Sequence, residues 1–600
     1  MHPWLARLHA ALRVEETAQR SAHADAMRLE PAAQIAAGVR WPELLCADET
    51  RRRGERTLHL RISGRGSLHQ GIGAGDRVRL MHRGREADAR VLDVGERSAE
   101  VRVDRGAPLA DILDGPITTT LAFDGSTLVR MRQALERADE AESGLKAVLL
   151  PGAVRPPPTP CPSCEAQDLN ESQQAAFAVA MGEAPVTLVH GPPGTGKTRL
   201  LVRVLEASVE RGDRPWALAD SNAATDHLAL ATMASGLRVL RLGPAGRMTP
   251  AARSLGLRSR IAEGPYADAL AALDRDIERA LARSERVGPL FSERRRLQAI
   301  ARNHEFEAAD VIATTLGTLA RIGPELPPAT VAVVDEATQA MEPGIWAAVP
   351  HVQRLVLVGD PHQLGPVVVG PSEPLGRPML VRLMEEGGLP MPMLEVQHRM
   401  SVALQALSAA TYGPRWRAHP AVADIRLVDR PGVAPAAITT IPMLWIDTAG
   451  AALEEHRDPI SGSLENPGEA LILRVALDAL LASGVPPEDI AVLAPYSAQV
   501  ASLRAALPEV CVWTINAFQG REAPAILVSW VRSNPDGTVG FVADPRRRVV
   551  ATTRARCLLI SVGDTATLAG APGFDALIDA HAENGALCSV WEPPWETVLH

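Results

Sequence analysis

Apolar residues near the start of the chain recur at helical spacing. Leu5, Leu8 and Leu12 share one face, which predicts a helical region over 1–54. The period then drops to two in Thr57-Leu58-His59-Leu60-Arg61-Ile62, Arg77-Val78-Arg79-Leu80, Ala89-Arg90-Val91-Leu92 and Glu100-Val101-Arg102-Val103. With glycines at 73, 75, 84 and 95 between them, these runs predict a small β-barrel of about five strands over 55–118. Its arginines suit either a solvated face or a nucleic-acid contact. The segment 119–168 combines a helix over Ser126–Leu149 with a proline-rich connector over Pro151–Pro162. From Leu169 strand and helix patterns alternate, the sign of a parallel sheet. This first α/β region covers 169–372 and is interrupted at about 251–308 by a helical stretch that includes Glu293-Arg294-Arg295-Arg296. A second alternating region occupies 373–600.

Composition narrows the classes. The 600 residues carry 71 acidic and 62 basic side chains, a net charge of −9, which argues against a polyanion binder coated in positive charge but leaves room for a basic channel. No apolar signal core opens the chain and no apolar run is long enough to span a bilayer, so no membrane partner is expected. Six scattered cysteines make no disulfide framework, so a reducing cytoplasm is expected. Cys161-Pro162-Ser163-Cys164 lacks the second ligand pair that zinc requires and is expected to be plain linker. Arginine replaces lysine everywhere except at Lys146 and Lys197.

Lys197 lies in Gly191-Pro192-Pro193-Gly194-Thr195-Gly196-Lys197-Thr198, between the apolar run Val186–Val189 and an amphipathic helix. In that strand–loop–helix context Gly191, Gly194, Thr195 and Gly196 turn backbone N–H groups onto phosphates. Lys197 reaches the β and γ phosphates, and the Thr198 hydroxyl serves Mg²⁺. Val331-Ala332-Val333-Val334 delivers Asp335 and Glu336 to a strand end, where Asp335 suits Mg²⁺ and Glu336 suits orienting and deprotonating water. Leu355–Val358 leads to Gly359-Asp360-Pro361-His362-Gln363, with Gln363 placed to sense the γ-phosphate.

With these three elements, Leu169–Gln173, Asp220-Ser221-Asn222, Ala309–Thr315, Gln397-His398-Arg399-Met400, Ala494-Pro495-Tyr496, Thr514–Glu522, Asp544–Arg547 and Ala551–Arg556 form an ordered set over 169–563. The set resembles the Upf1-like group of superfamily 1 helicases. The resemblance implies an α/β fold of two RecA-like domains in tandem, with an accessory N-terminal small β-barrel, a helical stalk and a helical insertion. It implies ATP and Mg²⁺ as cofactors and 5′-to-3′ movement along single-stranded DNA or RNA; a monomer is expected, although nothing in the sequence fixes the oligomeric state. Gln173 would read the adenine edge, Glu522 the ribose, and Gly520 would border the nucleotide. Arg399 and Arg554 would reach the γ-phosphate across the cleft, as catalytic partners of Lys197, Asp335, Glu336 and Gln363. Ser221, Asn222, Thr314 and Thr315 would grip the strand's phosphates. His398 stands where the family has a tyrosine that stacks on adenine, and Val549 where it has an asparagine. With only three tyrosines in the chain, phosphate contacts rather than base stacking are expected to dominate. Two other outputs fit the same residues: remodelling of protein–nucleic-acid complexes without unwinding, and an ATP-gated binding switch.

Overall fold

The computed structural model describes residues 1–52, 55–64, 68, 71–104, 115–155, 159–161, 164–283, 285–459 and 461–591. Parts of the expected barrel (53–54, 65–67, 69–70, 105–114), of the proline-rich connector (156–158, 162) and of the chain end (592–600) lie outside the described residues.

The period-two region is an antiparallel sheet of six strands, β1 (Leu44–Arg52), β2 (Glu55–Ile62), β3 (Arg77–His82), β4 (Arg85–Val94), β5 (Ser98–Val103) and β6 (Thr118–Leu121), in the order β1-β2-β5-β4-β3-β6. Its two ends meet through an antiparallel bridge between Leu44 and Ile117. Leu58, Leu60, Val78, Leu80, Val91 and Val101 fill the inside. β1 corrects the expectation of helix up to residue 54. A register shift between Cys46 and Asp48 interrupts the alternation by which a strand is recognised. The helices end earlier, at Pro3–Met27 and Pro31–Ala36.

The helix expected over Ser126–Leu149 is two helices, Ser126–Glu140 and Gly144–Leu149, because Ala141 turns extended. Lys146 closes the break by donating to the carbonyls of Asp139 and Ala141. Leu5, Leu8 and Leu12 of the first helix pack with Leu128, Met131 and Leu135 against the first α/β region. Glu342, buried, accepts hydrogen bonds from Trp4, Trp346 and Arg382 and ties the N-terminal helix to that region.

The first parallel sheet holds β7 (Val186–His190), β8 (Trp216–Ala219), β9 (Val239–Leu242), β10 (Val311–Thr315), β11 (Ala329–Asp335) and β12 (Val352–Gly359), in the order β7-β12-β11-β8-β10-β9. Both faces are covered: Leu188, Leu218, Val334 and Leu357 point into one core, and Val189, Ala217, Val333 and Val358 into the other. This is why the strands read as near-continuous apolar runs. Helices Leu257–Glu263, Ala267–Ala282 and Gly288–Ala308 stand between β9 and β10.

Two short pairs follow, β13 (Val396–Gln397) with β14 (Arg417–Ala418), and, after β15 (Met443–Asp447), β16 (His456–Arg457) with β17 (Leu464–Glu465). β15 belongs to the second parallel sheet with β18 (Ile490–Ala494), β19 (Cys511–Thr514), β20 (Ala523–Ser529), β21 (Ala555–Gly563) and β22 (Leu587–Ser589), in the order β19-β18-β20-β21-β15-β22. A boundary at 372/373 cuts the first core, because Leu375, Met379, Leu380 and Leu383 are buried in it. Apolar spacing alone does not show to which sheet the helices that carry them, Glu373–Gly376 and Met379–Glu386, dock.

Cys161 and Cys164 correct the plain-linker expectation: they form a disulfide, with Cα atoms 5.4 Å apart. Arg211, at the end of the helix that follows Gly196, donates to both sulfurs at 3.2 and 2.7 Å.

Candidate functional site

The first sheet presents the ends of its strands to a cleft, and the second presents the beginnings of β18, β19, β20 and β21. The cleft encloses about 820 Å³ and is lined from both halves, by Lys197, Asp335 and Glu336 on one side and Arg399, Glu522 and Arg554 on the other. Ser221 and Gly520 also line it.

The loop after β7 is shaped by glycines at positive φ. Gly196 has φ +79°, and a Cβ there would lie 2.5 Å from the Gln173 amide nitrogen. Gly194 has φ +72°, and a Cβ there would lie 2.7 Å from the Arg399 Cβ. The second half therefore sits against the loop, and the His398 N–H donates to the Gly194 carbonyl at 2.8 Å. Gly196 is the N-cap of the helix Lys197–Glu210 and offers it no side-chain acceptor, which suits a helix end that meets an anion. Thr195 donates to the Pro192 carbonyl at 2.7 Å and steadies the loop. Lys197 Nζ donates to the Gly191 carbonyl at 3.0 Å and lies 3.7 Å from Glu336 Oε1.

Asp335 is 4 % exposed at the end of β11. Burial and the neighbouring Glu336 charge push its carboxyl up to about 7, against the pull of Lys197 and of the Glu336 N–H. Glu336 has φ +50°, a left-handed conformation in a non-glycine residue, and its Oε2 accepts from Gln339 at 3.1 Å. Thr198 and Asp335 give oxygen donors only, one of them a buried carboxylate left with little compensating charge. That set fits a hard divalent cation.

After β12, the Asp360 carboxylate is fully buried and accepts from His190 Nε2 (3.3 Å), the His362 N–H (3.1 Å), Gln363 Nε2 (2.7 Å) and the Tyr412 hydroxyl (2.7 Å). Burial opposes its ionisation, but His190, the Lys197 charge and the Tyr412 hydroxyl outweigh it and lower the pKa. Gln363 Oε1 accepts from Arg554 Nη2 at 3.1 Å across the cleft. Arg554 is 2 % exposed; burial, chiefly, and the Arg399 charge lower it to about 10, so it stays cationic at neutral pH. Arg399 donates to Glu522 Oε2 at 2.5 Å and to the Thr553 carbonyl at 2.8 Å. Burial works against the Glu522 charge, yet Arg399, Arg556 and Arg554 hold that carboxyl below its usual value.

Other expected site residues stand elsewhere or are engaged. Gln173 lies beneath the loop. Its amide nitrogen donates to the Thr195 carbonyl at 2.9 Å and its oxygen caps its own helix, so neither end faces the cleft. The His398 ring stacks on His419, centroids 4.4 Å apart. Asn222 accepts from the buried Arg241 at 3.0 Å. Thr314 and Thr315 are buried, one donating to the Leu242 carbonyl and the other capping the helix Leu316–Ile322. Strand-end hydroxyls here serve the fold, which a motif alone does not distinguish from ligand contact. Sequence reasoning passed over Tyr412 and His190; their only signal was the scarcity of tyrosine and proximity to the glycine-rich loop.

Residues 168–295 and 284–371 match one AAA domain family, and residues 375–566 match a second family of the same description. The DNA-binding protein SMUBP-2 of Mesocricetus auratus is 34 % identical over 498 residues, covering 78 % of this chain and 50 % of that protein. The DNA polymerase alpha-associated DNA helicase A of Schizosaccharomyces pombe is 31 % identical over 437 residues, 68 % of this chain and 65 % of that protein. The ATP-dependent helicase NAM7 of Saccharomyces cerevisiae is 31 % identical over 444 residues, 70 % of this chain and 44 % of that protein. The chain spans about half the length of the first of these relatives. On the ordered motifs, the two family matches and these relatives, the chain belongs to the Upf1-like group of superfamily 1 helicases.

Proposed function

We propose that this chain is an ATP-dependent helicase that moves 5′-to-3′ along single-stranded DNA or RNA and couples hydrolysis to closure of the cleft. The observation that carries the reading is the convergence of Lys197, Asp335 and Glu336 with Arg399 and Arg554 from the other half on one cleft. ATP with Mg²⁺ supplies the phosphoryl group and a cation suited to Thr198 and Asp335. Lys197, now on Gly191 and Glu336, turns to the phosphates and frees the Glu336 carboxylate to orient water and accept its proton. Arg399 and Arg554 bring positive charge from the second half, a contribution that in such enzymes reaches about 10³–10⁵ in rate. Because they belong to the other half, hydrolysis depends on the cleft being closed. The closed β1–β6 sheet reads as the accessory barrel, and the helices Pro3–Met27 and Ser126–Glu140 as its stalk.

Strand displacement on duplexes with a 5′ or a 3′ single-stranded tail tests the reading. Displacement from the 5′ tail with ATP supports it. Stimulated hydrolysis without displacement from either tail shifts the function to remodelling of nucleic-acid complexes.

A further inference from the structure

The turn Asp360–Leu364 belongs to the first half by sequence, yet its contacts run to the second. Leu364 is buried in the second half's core beside Met400, Trp416 and Tyr412. The Leu364 carbonyl accepts from Gln519 at 3.3 Å, and Gln363 accepts from Arg554 at 3.1 Å. At the base of the turn the Asp360 carboxylate has four donors, and Tyr412 alone among them comes from the second half. Oδ2 is shared between the Tyr412 hydroxyl and Gln363 Nε2, both at 2.7 Å.

Tyr412 is itself firmly placed. It is 6 % exposed, and its ring lies 4.6 Å from that of Trp416 and 5.5 Å from that of His362. It ends the helix Ala409–Tyr412, and the preceding Ser408 hydroxyl lies 3.1 Å from that of Thr552, two residues before Arg554. The same neighbourhood of the second half thus holds Gln363 at both ends: Arg554 on its oxygen, and Tyr412, through Asp360, on its nitrogen.

We propose that Tyr412 is a positioning residue for ATP hydrolysis: its hydroxyl fixes the Asp360 carboxylate, and Asp360 in turn orients the Gln363 amide between the γ-phosphate site and Arg554. Without that hydroxyl Oδ2 keeps only the Gln363 amide as its donor, so the oxygen that orients the amide is itself held less firmly. A hydrogen bond to a charged group is stronger than one between neutral groups, so the loss reaches catalysis without a change in packing. The inference rests on the ATP-hydrolysis reading and adds to it a residue outside the ordered motifs.

The test compares wild type, Tyr412→Phe, Asp360→Asn and the double variant in steady-state ATP hydrolysis with single-stranded DNA. The expected result for Tyr412→Phe is a fall in kcat of about tenfold with KM for ATP within about twofold, since what is lost is orientation rather than binding. The double variant is expected to be no slower than Asp360→Asn, because the hydroxyl acts through that carboxylate. Unchanged kcat in a folded Tyr412→Phe protein, or losses that simply multiply in the double variant, overturn the proposal. A second measurement does not depend on Tyr412→Phe folding. The chain has only three tyrosines, Tyr266, Tyr412 and Tyr496, so 3-fluorotyrosine gives three ¹⁹F signals, assigned with Tyr266→Phe and Tyr496→Phe. The Tyr412 signal is expected to move on Asp360→Asn and on addition of a non-hydrolysable ATP analogue; a signal that ignores both overturns the proposal. Absence of ATP hydrolysis in the wild type defeats the functional reading instead.

Discussion

The Arg554 guanidinium of the second half donates to the Gln363 amide oxygen of the first at 3.1 Å, so a side chain expected to sense the γ-phosphate is already held by a side chain expected to stabilise its transfer. Nucleotide arrival and cleft closure therefore meet at one hydrogen bond. Arg554→Ala is expected to lower kcat by about 10³-fold or more, within the range for an arginine that stabilises phosphoryl transfer, while ATP still binds. Single-turnover hydrolysis beside a fluorescent-nucleotide titration checks this. A parallel loss of binding contradicts it.

Two buried carboxyls give the protein a signed pH dependence. Burial raises Glu469 to about 8, although Ser529 and the Val531 N–H donate to it, and burial with the Glu336 charge raises Asp335 to about 7. Both folded-state values lie above the unfolded ones, so the folded protein holds the extra protons. Stability falls as pH rises from the ordinary carboxyl range through about 7 and then 8, and levels off above. Thermal melting without nucleotide is expected to show a lower Tm at pH 9 than at pH 7, a window above the one in which buried histidines such as His581, held below their usual value by burial, act with the opposite sign. Glu469→Gln is expected to flatten that slope, and an unchanged slope excludes Glu469 as its source.

Thr314 separates fold from strand contact. Its hydroxyl is buried and donates to the Leu242 carbonyl at 3.2 Å. Thr314→Val is expected to cost about 1 kcal/mol of stability, the worth of one internal hydrogen bond. It should leave affinity for a labelled single strand unchanged. A several-fold loss of affinity restores the threonine to the strand interface.

The Cys161–Cys164 bond closes a short loop against the helix that carries Gln173. Serine at both positions is expected to destabilise the protein by at most about 2 kcal/mol, because a short loop has little entropy to lose. Wild type in reductant should match the variant in a urea melt. A large difference between them means that the sulfurs do more than close the loop.

Much of this is legible in the sequence. The glycine-rich loop, β11 and β12 lie where apolar runs end in polar residues, because a parallel strand buried on both faces has to be apolar along its length. Three features were not legible. β1 escaped because its register shift interrupts the alternation. The helices Glu373–Gly376 and Met379–Glu386 follow the 372/373 boundary yet pack in the first core, because the spacing of Leu375, Met379 and Leu383 shows a buried face but not its partner. Nor does the sequence show that Thr314, Thr315 and Gln173 make internal hydrogen bonds, to Leu242, a helix cap and the loop backbone. Composition and order identify a hydroxyl or an amide; only the three-dimensional neighbours show whether it is free.

The most direct test of the account is steady-state ATP hydrolysis without nucleic acid, with single-stranded DNA and with single-stranded RNA, beside Glu336→Gln. Strong stimulation by one or both strands, abolished in Glu336→Gln although the variant still binds ATP, is the predicted result. ATP binding with no stimulation by either strand contradicts the motor and leaves an ATP-gated switch.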